Sequence, residues 1–137
     1  MPSRRKAREL ALQMLFQWDL GHNAPGEVIT TFLEPRKLDP ETEAFARSLF
    51  EGAVREADSL DALLRAHADR WRLERMAAVD RNILRLALYE LLRVPENPPA
   101  VVFDEALELA RRFSTPESVQ FVNGVLEGAR KAQEKEG

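Results

Sequence analysis

The sequence has 137 residues, of which 45% are hydrophobic and 31% are charged. This length and apolar fraction suit one compact domain, or two small helical groups that share a core. Cysteine is absent, which excludes disulfides and thiolate metal sites. There is no apolar run of about 18 residues, as a membrane-spanning helix requires, and the basic N-terminus lacks the apolar run of a signal peptide. We therefore expect a soluble cytoplasmic protein.

Charge is distributed unevenly along the chain. The formal net charge is −3, but residues 1–8 contain Arg4, Arg5, Lys6 and Arg8 and no acid. The rest of the chain therefore carries −7. A basic tip on an acidic body predicts a local patch for phosphates rather than a surface that coats nucleic acid everywhere.

Apolar residues recur with helical spacing along the chain, and no stretch shows the sustained alternation of a strand. The first helix is predicted from about residue 3 to residue 20, with Gly21 ending it. A short helix follows near Pro25–Leu33. Asp39-Pro40 begins a third helix, as an N-cap followed by a first-turn proline, and Asp58-Ser59 can cap a fourth.

The segment Asp80–Arg93 differs, because apolar residues surround most of the predicted helix. Such a helix is usually buried among others, so we place it at the centre of the fold. Pro95 and Pro98-Pro99 separate it from the next helix, which is predicted to turn Phe113 inward. Thr115-Pro116 caps the last helix.

The pattern thus predicts an all-α protein of about seven helices. We expect a single domain, residues 1–137, in which an N-terminal helical group of about residues 1–70 meets a C-terminal group of about residues 71–133. The seam is predicted around Arg70–Glu74. From about Lys131 onward the chain is polar, and fraying is predicted there.

The outer face of the first helix is a candidate binding surface. On a projection of about 100° per residue, the side away from the Met14 and Trp18 stripe carries Arg5, Arg8, Leu12 and Phe16. Arginines bind phosphates and an aromatic ring can stack on a base, so this face suits single-stranded RNA. The alternative is that Leu12 and Phe16 pack on the second helical group with the arginines solvated, and the projection favours neither.

Two further features of the sequence need an explanation. Glu90 projects into the apolar arc of the central helix, and a buried carboxylate must be paired or hydrogen-bonded. We expect it to pair with an arginine, or to cap the helix that starts near Pro99, rather than to catalyse.

Glycines in a helix interior cost about 0.5–1 kcal/mol relative to alanine, so close approach of another helix or of a partner is predicted along the stripe Glu117, Phe121, Gly124 and Gly128.

An enzymatic role is not indicated. The chain has no glycine-rich phosphate loop, no Ser/His/Asp arrangement and no metal-ligand spacing. We therefore predict no catalytic residue, no metal and no cofactor.

Three blocks of sequence, in order over nearly the whole chain, resemble the NusB transcription antitermination family: residues 4–11 with 15–18, residues 79–91, and residues 105–110 with Phe113 and 121–126. The resemblance implies an all-α fold of two packed helical bundles. It also implies binding to the boxA element of nascent RNA together with the small-subunit ribosomal protein NusE. That complex helps RNA polymerase read through terminators, notably in ribosomal RNA operons.

A related domain is fused to an RNA cytosine methyltransferase in another family. This sequence contains no cysteine to act as the nucleophile such an enzyme needs, and it ends at Gly137. We therefore expect a free-standing factor.

The resemblance also implies the RNA-binding residues, which are Arg4, Arg5, Lys6, Arg8, Phe16, Glu117, Phe121 and Asn123. Phe16 stands where relatives often have tyrosine, so stacking survives but a hydroxyl hydrogen bond does not. Phe121 can stack on RNA or pack internally, with a slight preference for the RNA role. Glu117 can tune affinity by repulsion or accept a hydrogen bond from a base edge.

For the protein partner, the resemblance implies a surface near the start of the central helix, where Glu74 and Asp80 lie. Asp80 also fits a helix N-cap. The alternative to RNA binding is a helical interaction scaffold without useful RNA affinity. Whether the protein is a monomer or a homodimer stays open, because the Phe16 stripe could serve either purpose.

Overall fold

The computed structural model describes residues 2–67 and 75–136. Seven α-helices lie in these ranges, which confirms the predicted fold class: α1 Arg4–Gly21, α2 Pro25–Leu33, α3 Pro40–Arg55, α4 Ala57–His67, α5 Ala78–Arg93, α6 Pro99–Phe113 and α7 Pro116–Glu136. Helix α7 continues past Lys131, the residue from which the sequence predicts fraying. None of the helices in the described ranges is long and apolar enough to cross a membrane.

Side-chain caps begin three of the helices, and those at Asp39 and Thr115 lie where the sequence predicts them. The Ser3 hydroxyl accepts a hydrogen bond from the Lys6 N–H (3.0 Å), and the Asp39 carboxylate accepts one from the Glu41 N–H (2.9 Å). The Thr115 hydroxyl accepts one at the start of α7. Each cap satisfies an N–H group that the first helical turn leaves without a backbone acceptor.

Two helix boundaries differ from the sequence prediction. Gly21 is still helical, and His22 takes the left-handed conformation (φ 56°) while its N–H donates to the Trp18 carbonyl (3.2 Å). Helix α4 begins at Ala57, directly after the end of α3, so Asp58 lies in its first turn rather than at its N-cap. In both cases the helix is one or two residues longer than the sequence predicts, α1 at its C-terminal end and α4 at its N-terminal end.

Helix α5 is the centre of the fold, as its apolar pattern predicts. It packs against α1, α3, α4, α6 and α7, and residues 82–90 are all buried. One apolar core runs through both helical groups, because its members come from every helix. The seam predicted at Arg70–Glu74 lies outside the described residues.

A buried ionic network joins α1 and α4 to α5. Arg85 donates two hydrogen bonds to the Asp61 carboxylate, both at 2.7 Å. Asp19 accepts from Arg81 Nε (2.8 Å) and Nη2 (2.7 Å) and lies 3.1 Å from Arg85 Nη1. Burial by itself raises the pKa of Asp19, but the hydrogen bond from Arg81 and the charges of Arg85 and Arg81 outweigh that effect. The pKa of Asp19 therefore lies below its ordinary value.

This lowered pKa predicts that acid weakens the α1–α5 contact. The folded pKa of Asp19 lies below the unfolded value of about 3.9, so its stabilising contribution is complete above that value and is lost as the pH falls through the folded pKa. Urea unfolding between about pH 6 and pH 2 should show this loss. Asp19→Asn should be less stable at neutral pH and should decline less below about pH 4.

Asp58 provides the matched control, because it is an exposed aspartate on α4. Asp58→Asn should keep the wild-type pH dependence. An Asp19→Asn curve that runs parallel to wild type over the whole range would contradict a role for this carboxylate in acid stability.

Gly52 on α3 is required by the ring of Tyr89 on α5. Both residues are buried, and a Cβ atom built on Gly52 would lie 2.1 Å from the Tyr89 Cζ and Oη atoms. Because this contact is far inside van der Waals distance, the ring and α5 would have to move. The close approach of these two helices therefore depends on the missing side chain.

We predict that Gly52→Ala lowers the free energy of unfolding by about 1–3 kcal/mol through overpacking. Gly124 on α7 is the control, because a Cβ built there meets no heavy atom within 4 Å. Gly124→Ala should raise stability by about 0.5–1 kcal/mol from helix propensity alone. Urea denaturation of both variants measures the difference, and equal stabilities would refute the packing constraint.

Candidate nucleic-acid interface

Three of the four cations at the start of α1 are exposed. Arg4, Arg5 and Lys6 face solvent, and the Arg4 guanidinium lies over the Phe45 ring at 4.3 Å from its centroid. This contact with α3 fixes the side of the tip on which the Arg4 charge lies, since a guanidinium over a ring face is attracted to it. Three cations are thus exposed at the surface of the tip.

Arg8 is the exception, and the expectation that it projects outward is wrong. It is only 3% exposed. Its Nε donates to Glu90 Oε1 (2.9 Å) and its Nη2 to Glu90 Oε2 (2.5 Å), and Asn97 also donates to Glu90 (2.7 Å). The predicted pairing of Glu90 with an arginine is therefore confirmed. Leu12 is buried as well, because α5 packs on the side of α1 that the projection leaves open.

Phe16 and Leu20 form an exposed apolar patch at the other end of α1. Phe16 is 37% exposed and Leu20, one turn further, is 52% exposed. Trp18, on the opposite side, is partly buried against the core. The same helix thus presents cations near its start and an aromatic ring further along.

Asp80 does not present its charge at the surface, so that expectation is wrong. It is 6% exposed, and its two carboxylate oxygens accept hydrogen bonds from the hydroxyls of Ser114 (2.6 Å) and Ser118 (2.7 Å). It lies in the first turn of α5, whose N-cap is Ala77. Asp80 therefore holds the corner between α6 and α7. Glu74, the other predicted partner residue, lies outside the described residues.

The predicted residues of α7 lie close to that corner along the chain. Glu117 and Asn123 are exposed. Phe121 is partly buried and packs against the core, so part of its ring area serves the fold. The corner held by Asp80 fixes where α7 begins and therefore where Glu117 lies.

The two glycines of the α7 stripe have different surroundings. A Cβ atom built on Gly128 would lie 3.5 Å from the Cβ and Nδ1 atoms of His67, which is ordinary van der Waals distance, so α4 packs close to Gly128 without requiring a glycine there. Gly124 is exposed and has open space above it. The predicted close approach of another helix therefore applies to Gly128 only.

The structure adds two residues that the sequence reasoning missed. Phe113, predicted to turn inward, is 38% exposed, and the Arg112 guanidinium lies 5.4 Å from its ring centroid. Arg112 also pairs with Glu9 of α1. The sequence contained a signal for this exposure. Phe113 follows two arginines at the end of α6, and a side chain in the last turn of a helix can lie beyond the core.

The exposed residues can together bind a polyanion that carries flat bases. Arg5 pairs with Glu105 of α6 (3.2 Å), and Glu9 pairs with Arg112, so ion pairs connect α1 to α6. The start of α1 carries exposed cations of the kind that bind phosphates, and Phe16 on α1 and Phe113 on α6 are exposed rings of the kind on which bases stack. Within the described residues there is no group of three or more His, Asp or Glu that could hold a metal ion.

Comparison with known proteins agrees with this architecture. The NusB family model matches residues 5–131. The transcription antitermination protein NusB of Koribacter versatilis is 55% identical over 126 residues, covering 91% of this chain and 86% of that protein. The corresponding protein of Solibacter usitatus is 49% identical, covering 96% and 90%.

Two solved structures have the same fold over nearly their whole length. NusB of T. maritima has a TM-score of 0.88 at 34% identity and covers 96% of this chain and 93% of its own. A crystal structure of the antitermination factors NusB and NusE in complex with dsRNA has a TM-score of 0.87 at 31% identity, covering 94% and 96%. An all-α fold with a basic and aromatic surface defines the class, and the chain belongs to the NusB family.

Proposed function

We propose that this protein acts in transcription antitermination by binding single-stranded boxA-like RNA, together with a ribosomal protein of the NusE type. The observation that carries this proposal is the exposed cation group Arg4, Arg5 and Lys6 on a chain whose remaining residues carry a net negative charge. A similar solved structure that contains NusB, NusE and dsRNA supports the binding of RNA and of a NusE-type protein. In this proposal the protein binds and does not catalyse. The proposed outcome is that RNA polymerase reads through terminators, notably in ribosomal RNA operons.

In this proposal the RNA contacts two parts of the surface. Phosphates bind the cations at the start of α1, while a base stacks on Phe16 further along the helix. On α7, Asn123 can contact base edges, and the exposed Glu117 can accept from a base-edge donor. Phe121, which is partly buried against the core, is the third residue of α7 proposed to contact RNA.

The ribosomal partner is proposed to bind near the start of α5, on the acidic body of the protein. NusE-like proteins are expected to be basic, so opposite charge favours their association. Asp80 contributes there through the α6–α7 corner that it holds, because its carboxylate is already occupied by two hydroxyls.

The test is to measure the binding of a boxA-like single strand, a scrambled single strand and a duplex, each with and without the ribosomal protein. Equal affinity for all RNAs would favour a scaffold.

Arg5→Ala should weaken RNA binding across sequences, because it removes an exposed phosphate-binding charge. We expect the slope of log affinity against log salt to fall by about 0.7, the value for one contact on a single strand. Lys37→Ala, which removes an exposed charge from the α2–α3 loop, should leave the slope unchanged. If both variants bind like wild type, RNA does not contact the start of α1.

Arg8→Ala should act on folding instead. It leaves Glu90 buried with its charge unpaired by an arginine, which destabilises a protein by about 3–5 kcal/mol. Arg5→Ala should lower RNA affinity, whereas Arg8→Ala should lower the free energy of unfolding measured in urea. The comparison separates the surface role of Arg5 from the core role of Arg8.

Phe16→Ala should weaken RNA binding about ten-fold or more, because base–aromatic stacking contributes about 1–3 kcal/mol. Its unfolding midpoint should stay near that of wild type, since the ring is exposed. Leu20→Ala is the control for loss of apolar surface one turn further along α1, and it should bind RNA normally. Sedimentation at equal concentration shows whether a second copy of the chain covers Phe16. A monomeric Phe16→Ala protein with intact RNA affinity would contradict stacking.

A further inference from the structure

Glu105 of α6 lies between two arginines of the basic tip. Its Oε2 atom lies 3.2 Å from Arg5 Nε, and its Oε1 atom lies 3.7 Å from Arg8 Nη1. The Glu105 side chain is 17% exposed, whereas that of Arg5 is 60% exposed. An acid on a neighbouring helix thus faces the group to which phosphate is proposed to bind.

Arg8 does not require the charge of Glu105. The Arg8 guanidinium already donates two hydrogen bonds to Glu90, one through Nε and one through Nη2. The contact of Glu105 with Arg8 is longer than either of those bonds, while its contact with Arg5 is a hydrogen bond. The charge of Glu105 therefore acts chiefly on Arg5.

The pair formed by Arg5 and Glu105 is suited to being opened by another anion. Exposed ion pairs are weak, because water screens the charges and a long side chain loses freedom when it is held. A phosphate offers the Arg5 fork more acceptor oxygens than the carboxylate does. The Glu105 carboxylate stays where it is, however, and repels a phosphate bound beside it.

We propose that Glu105 is an intramolecular competitor for phosphate at Arg5, and that it limits the affinity of the tip for nucleic acid. In the free protein the carboxylate occupies Arg5 Nε, and in the complex Arg5 turns from the carboxylate to a backbone phosphate of the RNA. This inference rests on the proposed RNA binding, and it names Glu105 as a residue that sets the strength and salt dependence of that binding. Because the competition is for a backbone phosphate, its effect should be independent of RNA sequence.

The test is the affinity of Glu105→Gln for a boxA-like single strand and for a scrambled strand of equal length. Removing the charge should tighten binding of both RNAs by about three- to ten-fold at about 50 mM salt. The gain should shrink at about 300 mM salt, because screening weakens the repulsion that was removed. Asp104→Asn is the matched control, because it removes one charge from an exposed neighbour on α6, and it should change affinity less than two-fold.

A double variant separates this inference from the proposed function. In an Arg5→Ala background, Glu105→Gln should change affinity much less than it does in wild type, because the competition acts through Arg5. If Arg5→Ala alone has no effect on binding, RNA contact at this tip fails, and this inference fails with it. If Arg5→Ala weakens binding but Glu105→Gln leaves it unchanged or weaker, the inference alone is overturned.

Glu105→Asp covers the case in which the glutamine variant does not fold. The aspartate keeps the charge but withdraws it from Arg5 by about one bond length along the side chain. It should also tighten RNA binding, by less than the glutamine change. Weaker binding by a folded Glu105→Asp protein would show that Glu105 positions Arg5 for the RNA instead of competing for it.

Discussion

The charged side chains on the buried helix α5 need partners from other helices, and the arrangement of the fold depends on this constraint. Glu90 is paired with Arg8 of α1, and Arg85 is paired with Asp61 of α4. Asp80 accepts hydrogen bonds from the α6–α7 corner. A buried charge without a partner costs several kcal/mol, so a helix shifted by one turn would be strongly disfavoured. Among the described residues, no buried side-chain nitrogen or oxygen lacks a hydrogen-bond partner.

The same pairing requirement shapes the surface proposed for RNA. Taking Arg8 into the core leaves Arg4, Arg5 and Lys6 as the exposed cations of the tip. Acids on α1 and α6 then lie beside these cations, with Glu105 against Arg5. The tip is therefore a patch of partly compensated charge, in which the effective attraction for phosphate depends on the neighbouring helix as well as on the basic sequence.

Helix positions could be predicted from the sequence because their causes are local. The bounds of α2, Pro25–Leu33, and the cap at Asp39 follow from proline position and side-chain acceptors within a few residues. The exposure of Phe16 follows from the helical projection as well. For the candidate site, the basic start of α1 and the exposed Phe16 ring could thus be predicted. The contacts of Arg112 with Glu9 and of Glu105 with Arg5 could not, because each joins residues about 100 positions apart.

The sequence by itself determined an all-α chain, a central helix that is apolar nearly all round, a basic tip and a resemblance to the NusB family. Helical periodicity and capping express these properties within one or two turns. Only the tertiary structure decided that Arg8 and Asp80 are buried partners, that Phe113 is exposed and that Gly52 makes room for Tyr89. A projection of one helix shows which residues share a side, but burial depends on which neighbouring helices cover that side, and their positions are fixed by contacts between residues distant in the chain.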